Sequence, residues 1–253
     1  MKKTPLLAVL RVHRRTYLLD AIGDWVARLR SLLGEAVTVG LIANDPDVAV
    51  LERTLGPIVR DGEPTWIGKF ERYRNGYDFD SDLLNLSVPT LVAKVEPTWF
   101  LWLHDDWVFE DGVAEAISEI VRAGPSAASP LLYRAGTHMF YDRNHYVEAK
   151  SGAEWIDPVL FRWRPGARWN SWRWTFTPDA IEEEAKIYGR EGRLPGRRLD
   201  FGWYTEAERE NARRLLKRLG RFDQPPWDLF GDPPKLVEYT KRASWLRRDW
   251  YVP

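Results

Sequence analysis

Residues 99–112, WFLWLHDDWVFEDG, place five mostly apolar residues directly before His104, Asp105 and Asp106. The run from Trp99 to Leu103 predicts a buried β-strand, because short continuous apolar runs are typical of strands inside parallel sheets. Two adjacent carboxylates at the end of such a strand repel each other and resist desolvation, so they need a compensating positive charge. A divalent cation is the obvious candidate. We therefore expect a metal site here, with a structural role for the two acids as the alternative.

Strand and helix patterns alternate around this segment, through residue 124. Apolar periodicity, N-cap residues and glycine or proline stops mark the elements. The predicted elements are a strand over Leu6 to Val12, a helix capped by Thr16 and stopped by Gly34, a strand over Val37 to Ala43, a helix over Val48 to Leu55, a short strand at Ile58 and Val59, a helix over Ser81 to Val95 that is kinked or divided at Pro89, and a helix capped by Asp111 and ended by Gly124. This alternation predicts an α/β fold with a mostly parallel sheet flanked by helices.

The second half of the chain has shorter apolar runs, which predict antiparallel additions to the sheet. These runs are Leu131 to Arg134, Met139 to Tyr141, Val159 to Trp163 and Trp172 to Phe176. A helix from Thr177 to Tyr188 follows, then a loop over residues 189–198 that is rich in glycine, arginine and proline. Thr205 opens a last helix, to Leu219, with Glu208 at capping-box spacing, and an extended tail begins at Phe222. We therefore expect one compact domain with a helical C-terminal subregion.

Composition restricts the classes of function. The chain has 253 residues, 44% of them hydrophobic, and its 37 basic residues balance 37 acidic ones. No global charge therefore favours nucleic acid or an anionic membrane as a partner. The absence of cysteine excludes disulfides, thiolate nucleophiles and cysteine-bound metals. The apolar run from Leu6, about seven residues long, is too short for a transmembrane segment and lacks a cleavage site, so we expect a cytoplasmic protein.

The chain is rich in tryptophan, with 14 residues of this type. Five of them lie close together in sequence: Trp155, Trp163, Trp169, Trp172 and Trp174. Flat aromatic rings stack on sugars and bases, but they also fill protein cores. Packing is the expected role for any single tryptophan.

Polar residues follow three of the predicted parallel strands. They are His13, Arg14 and Arg15 after the first strand, Asn44 and Asp45 after the second, and His104, Asp105 and Asp106 after the strand at Trp99. Ligands of open parallel sheets bind outside the carboxyl ends of the strands, so these residues are expected to meet at one edge. Carboxylates and an imidazole at such an edge match the coordination that Mg²⁺ or Mn²⁺ uses with phosphate oxygens.

The order of these segments resembles the GT-A fold of nucleotide-sugar glycosyltransferases, in particular the family-2-like group. The resemblance is carried by HRRTYLLDAIGDWVARLRSLLG, VTVGLIAND and WFLWLHDDWVFEDGVAEAISEI, and it covers roughly residues 6–124. It implies a metal-dependent transfer of a sugar from a nucleoside-diphosphate sugar, most simply a UDP-sugar, to an acceptor hydroxyl, with Mn²⁺ or Mg²⁺ as cofactor. The acceptor is a glycan, a lipid, a protein or a modified DNA base.

The resemblance also implies roles for residues of the donor site. Asp45 matches the acidic residue that contacts the base and ribose. The tripeptide from His104 to Asp106 matches the DxD-type motif, with histidine in its first position. This implies Asp106 and His104 as metal ligands and Asp105 as a ribose or phosphate contact. His13, Arg14 and Arg15 replace the usual loop after the first strand, where either arginine is suited to pair with a diphosphate.

Inverting members of this group use an Asp or Glu near a late helix as general base for the acceptor hydroxyl. Glu206 occupies a comparable place, with Asp200 as its rival. The alternative for Glu206 is favourable interaction with the helix dipole in the first turn. The rings of Trp203 and Tyr204 are suited to hold the sugar or the acceptor, and a core role is the alternative.

These assignments divide the chain into a nucleotide-sugar-binding α/β half, residues 1–124, and an acceptor-side and C-terminal part, residues 125–253, of the same compact domain. Two other classes of function remain open. One is a metal-dependent phosphotransferase or nuclease that adds Glu110 and Asp111 as ligands. The other is a non-catalytic module that binds carbohydrate or nucleic acid through the Trp-rich region.

Overall fold

A computed structural model describes residues 2–70, 78–142, 144–148, 154–170, 177–202, 205–210 and 234–241. The strands are β1 (Lys2–Val12), β2 (Val37–Asn44), β3 (Thr65–Gly68), β4 (Val95–His104), β5 (Trp107–Phe109), β6 (Leu132–Phe140), β7 (His145–Val147), β8 (Trp155–Arg162), β9 (Glu191–Asp200) and β10 (Leu236–Glu238). The helices are α1 (Leu19–Leu33), α2 (Val48–Thr54), α3 (Asp78–Val92), α4 (Val113–Ala123) and α5 (Asp179–Ile187). A 3₁₀ turn, Gly34–Ala36, follows α1, and residues 206–210 are helical.

The central strands lie in the order β3-β2-β1-β4, and each pairs in parallel with its neighbour. β1 is buried on both faces, because its residues alternate between two cores. Leu6, Ala8 and Leu10 face one core, and Leu7 and Val9 face the other. Continuous apolar strands of this kind need cover on both sides.

Helices supply that cover on both faces of the sheet. The first core is closed by α1, α2 and α4, through residues such as Trp25, Val50 and Ile117. The second is closed by α3 and α5, through residues such as Leu91 and Ile181. The predicted α/β class, with a mostly parallel central sheet flanked by helices, is confirmed.

The rest of the sheet is mixed. β8 runs antiparallel to both β4 and β6, and β7 and β10 extend the sheet beyond β6 in antiparallel pairs. β9 pairs in parallel with β6 and antiparallel with β5. The predicted antiparallel additions are confirmed, although the two runs expected at Leu131 to Arg134 and Met139 to Tyr141 belong to the single strand β6.

The prediction of a loop over residues 189–198 is wrong, because most of this segment lies in β9. Leu194 and Leu199 are buried, and the backbone pairs with strands on both sides. Arg198 is also buried, where it pairs with Asp157. A segment rich in arginine and glycine forms this strand because carboxylates lie beside its arginines and ladder hydrogen bonds satisfy its backbone groups.

Several predicted boundaries are also wrong. Thr16 does not cap α1, which begins at Leu19, although the Thr16 carbonyl accepts a hydrogen bond from the Leu19 N–H at 3.1 Å. Gly112, with a left-handed φ of 85°, precedes α4 in place of the expected Asp111 cap. Val59 forms only an isolated bridge with Leu55, and the third parallel strand is β3.

The segment around Pro89 forms one helix, α3, with the proline inside it, so the alternative of two short helices is wrong. α3 ends at Val92, and β4 already begins at Val95, earlier than the predicted strand at Trp99. No helix in the described part of the chain is long and apolar enough to cross a membrane.

Some predictions fall on residues outside those described. They are the run from Trp172 to Phe176, the aromatic residues Trp203 and Tyr204, the last helix beyond residue 210, and most of the tail after Phe222. Within that tail, β10 is extended, as predicted, and pairs with β7.

Candidate active site

The carboxyl ends of β1, β2 and β4 meet at one edge of the sheet. Arg11 lies opposite His104, and Val12 lies opposite Ala43, so the residues that follow these strands come together. The Asp105 N–H also donates to the Arg11 carbonyl at 3.0 Å. The sequence-predicted polar residues of the three strand ends are therefore neighbours in the fold.

Asp105 and Asp106 are both buried, with exposed fractions of 1% and 6%. Asp105 accepts a hydrogen bond from the His13 backbone N–H at 2.9 Å and lies 3.1 Å from His104 Nδ1. This carboxylate therefore ties the segment after β1 to the end of β4. Asp106 is the member of the pair that faces the arginine of that segment.

Arg15 places one guanidinium among three carboxylates. Its Nη1 forms a short ion pair with Asp106 and lies 3.8 Å from Asp105 Oδ1. Its Nε lies 2.8 Å from Glu208 Oε1. The positive charge that the acidic pair requires is thus supplied from within the chain.

His104 adds a second positive charge. Its Nδ1 donates to Asp106 Oδ1 at 2.5 Å. Burial alone lowers the pKa of His104, but the Asp106 charge and the hydrogen bonds to both aspartates outweigh burial and raise this pKa to about 9. For Asp106, the charges of His104 and Arg15 outweigh burial and hold the pKa well below its usual range. At neutral pH the two carboxylates are therefore ionised, and Arg15 and His104 balance them.

The acidic cluster contains donors that suit a hard divalent cation. His104, Asp105 and Asp106 each offer a ligand atom, and these atoms lie within 4.8 Å of one another. Oxygen and imidazole donors at this spacing fit Mn²⁺ or Mg²⁺. Asp106, however, already contacts Arg15 and the protonated His104, so a cation at Asp106 would compete with both.

Asp45 and Arg14 form a second pair at the rim of this edge. Arg14 Nη2 lies 2.5 Å from Asp45 Oδ2, and the two side chains are 62% and 36% exposed. Asp45 has a left-handed φ of 48°, and its N–H donates to the Gly68 carbonyl at 2.7 Å. The His13 Nδ1–H donates to the Asn44 carbonyl at 2.5 Å. Asp45 and Arg14 are thus accessible at the site mouth.

Asp200, at the end of β9, belongs to the same cluster. A Cβ on Gly202 would lie 3.1 Å from both Asp106 Oδ2 and Asp200 Oδ1, so the two carboxylates converge on this glycine. The Phe201 N–H donates to the Asp106 carbonyl at 2.8 Å, which fixes the chain there. Burial raises the pKa of Asp200 to about 6, against the lowering effect of Arg198.

Glu206, the other candidate base, has a different environment. Its side chain is 70% exposed and lies 3.0 Å from Arg209. The structure therefore places Asp200 in the buried cluster and Glu206 on the surface in the first turn of a helix.

Glu208 is a site residue that the sequence interpretation limited to capping. The predicted capping box is confirmed, because the Thr205 N–H donates to Glu208 at 3.0 Å and the Glu208 N–H donates to the Thr205 hydroxyl at 3.2 Å. The Tyr17 hydroxyl also donates to Glu208 at 3.0 Å, and Arg15 pairs with it. No spacing in the sequence predicts these contacts, since they join residues nearly two hundred positions apart.

Arg198 was also missed, because its segment was interpreted as a loop. Its Nη2 lies 2.5 Å from Asp157 and 3.1 Å from Asp200, and its guanidinium stacks 3.9 Å above the Trp107 ring. The Thr137 hydroxyl donates to Asp157 at 2.9 Å. The one signal in the sequence is that Arg198 and Asp200 are two residues apart, which places them on the same strand face.

Glu110 does not supplement the acidic cluster in the way that the nuclease interpretation required. Glu110 is buried and accepts a hydrogen bond from the Tyr239 hydroxyl at 3.1 Å. The expected packing role of tryptophan is confirmed at five buried positions in the described part of the chain. These are Trp25, Trp99, Trp102, Trp107 and Trp169.

Comparisons with known proteins do not assign a family. No family model matches the chain, and no curated protein matches it. Among solved structures, the chain is similar to a glycosyltransferase involved in the glycosylation of the major capsid of PBCV-1, at 10% sequence identity and a TM-score of 0.34. The similarity covers 83% of this chain and 98% of that chain.

Proposed function

We propose that this protein is a glycosyltransferase with a GT-A-like fold, which moves a sugar from a nucleoside-diphosphate sugar to an acceptor hydroxyl. One observation carries the proposal: Arg15, His104, Asp106 and Asp200 gather at the carboxyl edge of the parallel strands. Such a group joins cations suited to a diphosphate with a carboxylate suited to accept a proton.

The donor binds, in this proposal, across the ends of β1 and β2. Asp45 contacts the base and ribose, since it is accessible at the rim, and Arg14 and Arg15 pair with the diphosphate. The sequence suggested a direct ribose or phosphate contact for Asp105. We assign it instead to holding the backbone of His13, because Asp105 is buried and accepts a hydrogen bond from the His13 N–H.

Asp106 and His104 are the proposed ligands of Mn²⁺ or Mg²⁺. The cation, when bound, neutralises charge on the departing diphosphate. Arg14 and Arg15 also neutralise charge on the diphosphate, because guanidinium groups form bidentate hydrogen bonds with phosphate oxygens.

Asp200 is the proposed general base. In the reaction the acceptor oxygen bonds to the anomeric carbon, the bond from that carbon to the phosphate oxygen breaks, and the hydroxyl proton passes to Asp200. A pKa of about 6, raised by burial, leaves this carboxylate ionised at neutral pH yet more basic than an ordinary aspartate. Arg198 orients it from the same strand.

The two parts of the chain then have different roles. Residues 1–124 bind the donor, and residues 125–253 supply the acceptor side, with Asp200 and Glu208 completing the cluster. The acceptor is a glycan, a lipid, a protein or a modified DNA base. A UDP-sugar is the first donor to test.

The experiment is a panel of nucleotide sugars with Mn²⁺ or Mg²⁺, in which release of nucleoside diphosphate is measured. Turnover that is lost in Asp106→Ala, with the circular dichroism spectrum unchanged, supports the proposal. Cleavage of nucleic acid without consumption of any sugar nucleotide contradicts it and favours a nuclease. Tight glycan binding with neither reaction contradicts it and favours a binding module.

A further inference from the structure

Arg15 is the more exposed partner in its contacts with Asp105 and Asp106. The Arg15 side chain is 28% exposed, whereas the side chains of Asp105 and Asp106 are 2% and 8% exposed. Arg15 therefore pairs with carboxylates that are almost closed to solvent. This distinguishes Arg15 from Arg14, whose pair with Asp45 is open to water.

A guanidinium and a divalent cation compete for the same carboxylate oxygens. The Arg15 Nη1 occupies the Oδ2 side of Asp106, while His104 occupies Oδ1. A divalent cation bound at Oδ2 would lie within a few ångströms of the guanidinium, where like charges repel strongly in a site of low dielectric constant. Arg15 and a divalent cation therefore compete for this oxygen.

Glu208 offers Arg15 a second partner when it leaves Asp106. The Arg15 Nε already lies 2.8 Å from Glu208 Oε1. Glu208 is in turn fixed by the Tyr17 hydroxyl and by its capping hydrogen bonds with Thr205. A guanidinium that leaves Asp106 can therefore keep its ion pair with Glu208.

We propose that Arg15 is a resident cation that competes with divalent metal for Asp106, so that the wild-type protein binds Mn²⁺ weakly until Arg15 is withdrawn. This rests on the proposed function in one respect, the assignment of Asp106 as a metal ligand. An anionic diphosphate is the natural partner to withdraw it, because it offers the guanidinium two phosphates in place of one carboxylate.

The test is the affinity for Mn²⁺ alone, with free Mn²⁺ measured by electron paramagnetic resonance and no nucleotide present. Arg15→Met is expected to bind Mn²⁺ about tenfold more tightly than the wild type. Arg28→Met is the matched control, because it removes the same charge from an exposed pair with Glu115, and it should bind like the wild type. Adding Asp106→Asn to Arg15→Met should abolish the gain.

Equal affinity in Arg15→Met and the wild type overturns the inference, as does a gain that survives Asp106→Asn. Arg15→Gln, which keeps a hydrogen-bond donor but no charge, repeats the comparison where the methionine variant does not fold, with the same result expected. Failure to turn over any sugar nucleotide would contradict the proposed function but would leave this metal comparison unchanged.

Discussion

Nη2 of Arg198 lies 3.1 Å from Oδ2 of Asp200, two residues along the same strand. Burial raises the pKa of Asp200, Arg198 opposes that rise, and the charge of Asp106 adds to it. Arg198 is itself buried, where Asp157 holds it at 2.5 Å. The proton affinity of the proposed base is therefore set by a balance between burial, one buried cation and its acidic neighbours.

Replacing Arg198 should move the pH dependence of the reaction. A base works in its ionised form, so kcat/KM is expected to rise as the pH increases through about 6 in the wild type. Arg198→Met removes the opposing charge and should shift this rise to higher pH by about one unit. Arg198→Lys keeps a cation and should leave the profile close to the wild type. The measurement is kcat/KM against pH with the donor found in the panel, and an unshifted profile in a folded Arg198→Met contradicts the role of Asp200.

A matched pair of variants separates the two candidate bases. Asp200→Asn should lower kcat by about a hundredfold or more with a small change in KM, because it removes the proton acceptor without changing its shape. Glu206→Gln should change kcat by less than about twofold, since its side chain is exposed and paired with Arg209. Steady-state kinetics of both variants checks this. A large loss in Glu206→Gln, together with an active Asp200→Asn, would reverse the assignment.

Gly202 allows a test of geometry without any change of charge. The methyl group of Gly202→Ala would press on Asp106 and Asp200, each 3.1 Å from the new carbon. We expect kcat/KM to fall about tenfold, because small displacements of reacting groups are costly. Gly23→Ala, in α1, is the control, since its new carbon meets Ile58 at an ordinary 3.5 Å. Equal activity in the two variants, with both folded, would argue against convergence of the carboxylates at Gly202.

Much of the parallel half of the fold was predictable from local patterns. Continuous apolar runs identify β1, β2 and the core of β4, and parallel strands necessarily bring the residues after them to one edge. This is why His13, Asp45 and Asp106 were expected together. The position of these residues at one edge follows from strand direction alone, and it does not depend on their side-chain contacts.

The ion pairs within the cluster were not predictable in the same way. The need for positive charge beside Asp106 follows from burial, and Arg15 was expected at this edge, but a divalent cation was expected to supply the charge. Glu208 reaches the site only through tertiary structure. The strand β9 was not predicted for a related reason. Its arginines suggest an exposed loop until Asp157 is known to lie beside Arg198.

His104 gives a prediction for stability in metal-free buffer with a chelator. Its pKa in the folded protein is raised to about 9, from an ordinary value of 6.5, because the charges and hydrogen bonds of Asp106 and Asp105 outweigh burial. A raised pKa means that the folded state binds the proton more tightly than the unfolded state does. The stabilisation is therefore fully present below pH 6.5 and is lost as the pH rises from 6.5 to about 9.

Urea unfolding at pH 6.5 and pH 9 should therefore show a fall in the free energy of unfolding of up to about 3 kcal/mol. His104→Gln should remove most of this fall, whereas His145→Gln, at a half-exposed pair with Asp142, should retain it. Asp106 does not change its charge in this range. The lowered pKa of Asp106 contributes stability that is present above pH 4 and is lost only in acid. A fall of equal size in His104→Gln and the wild type would show that the two aspartates do not stabilise the protonated form of His104.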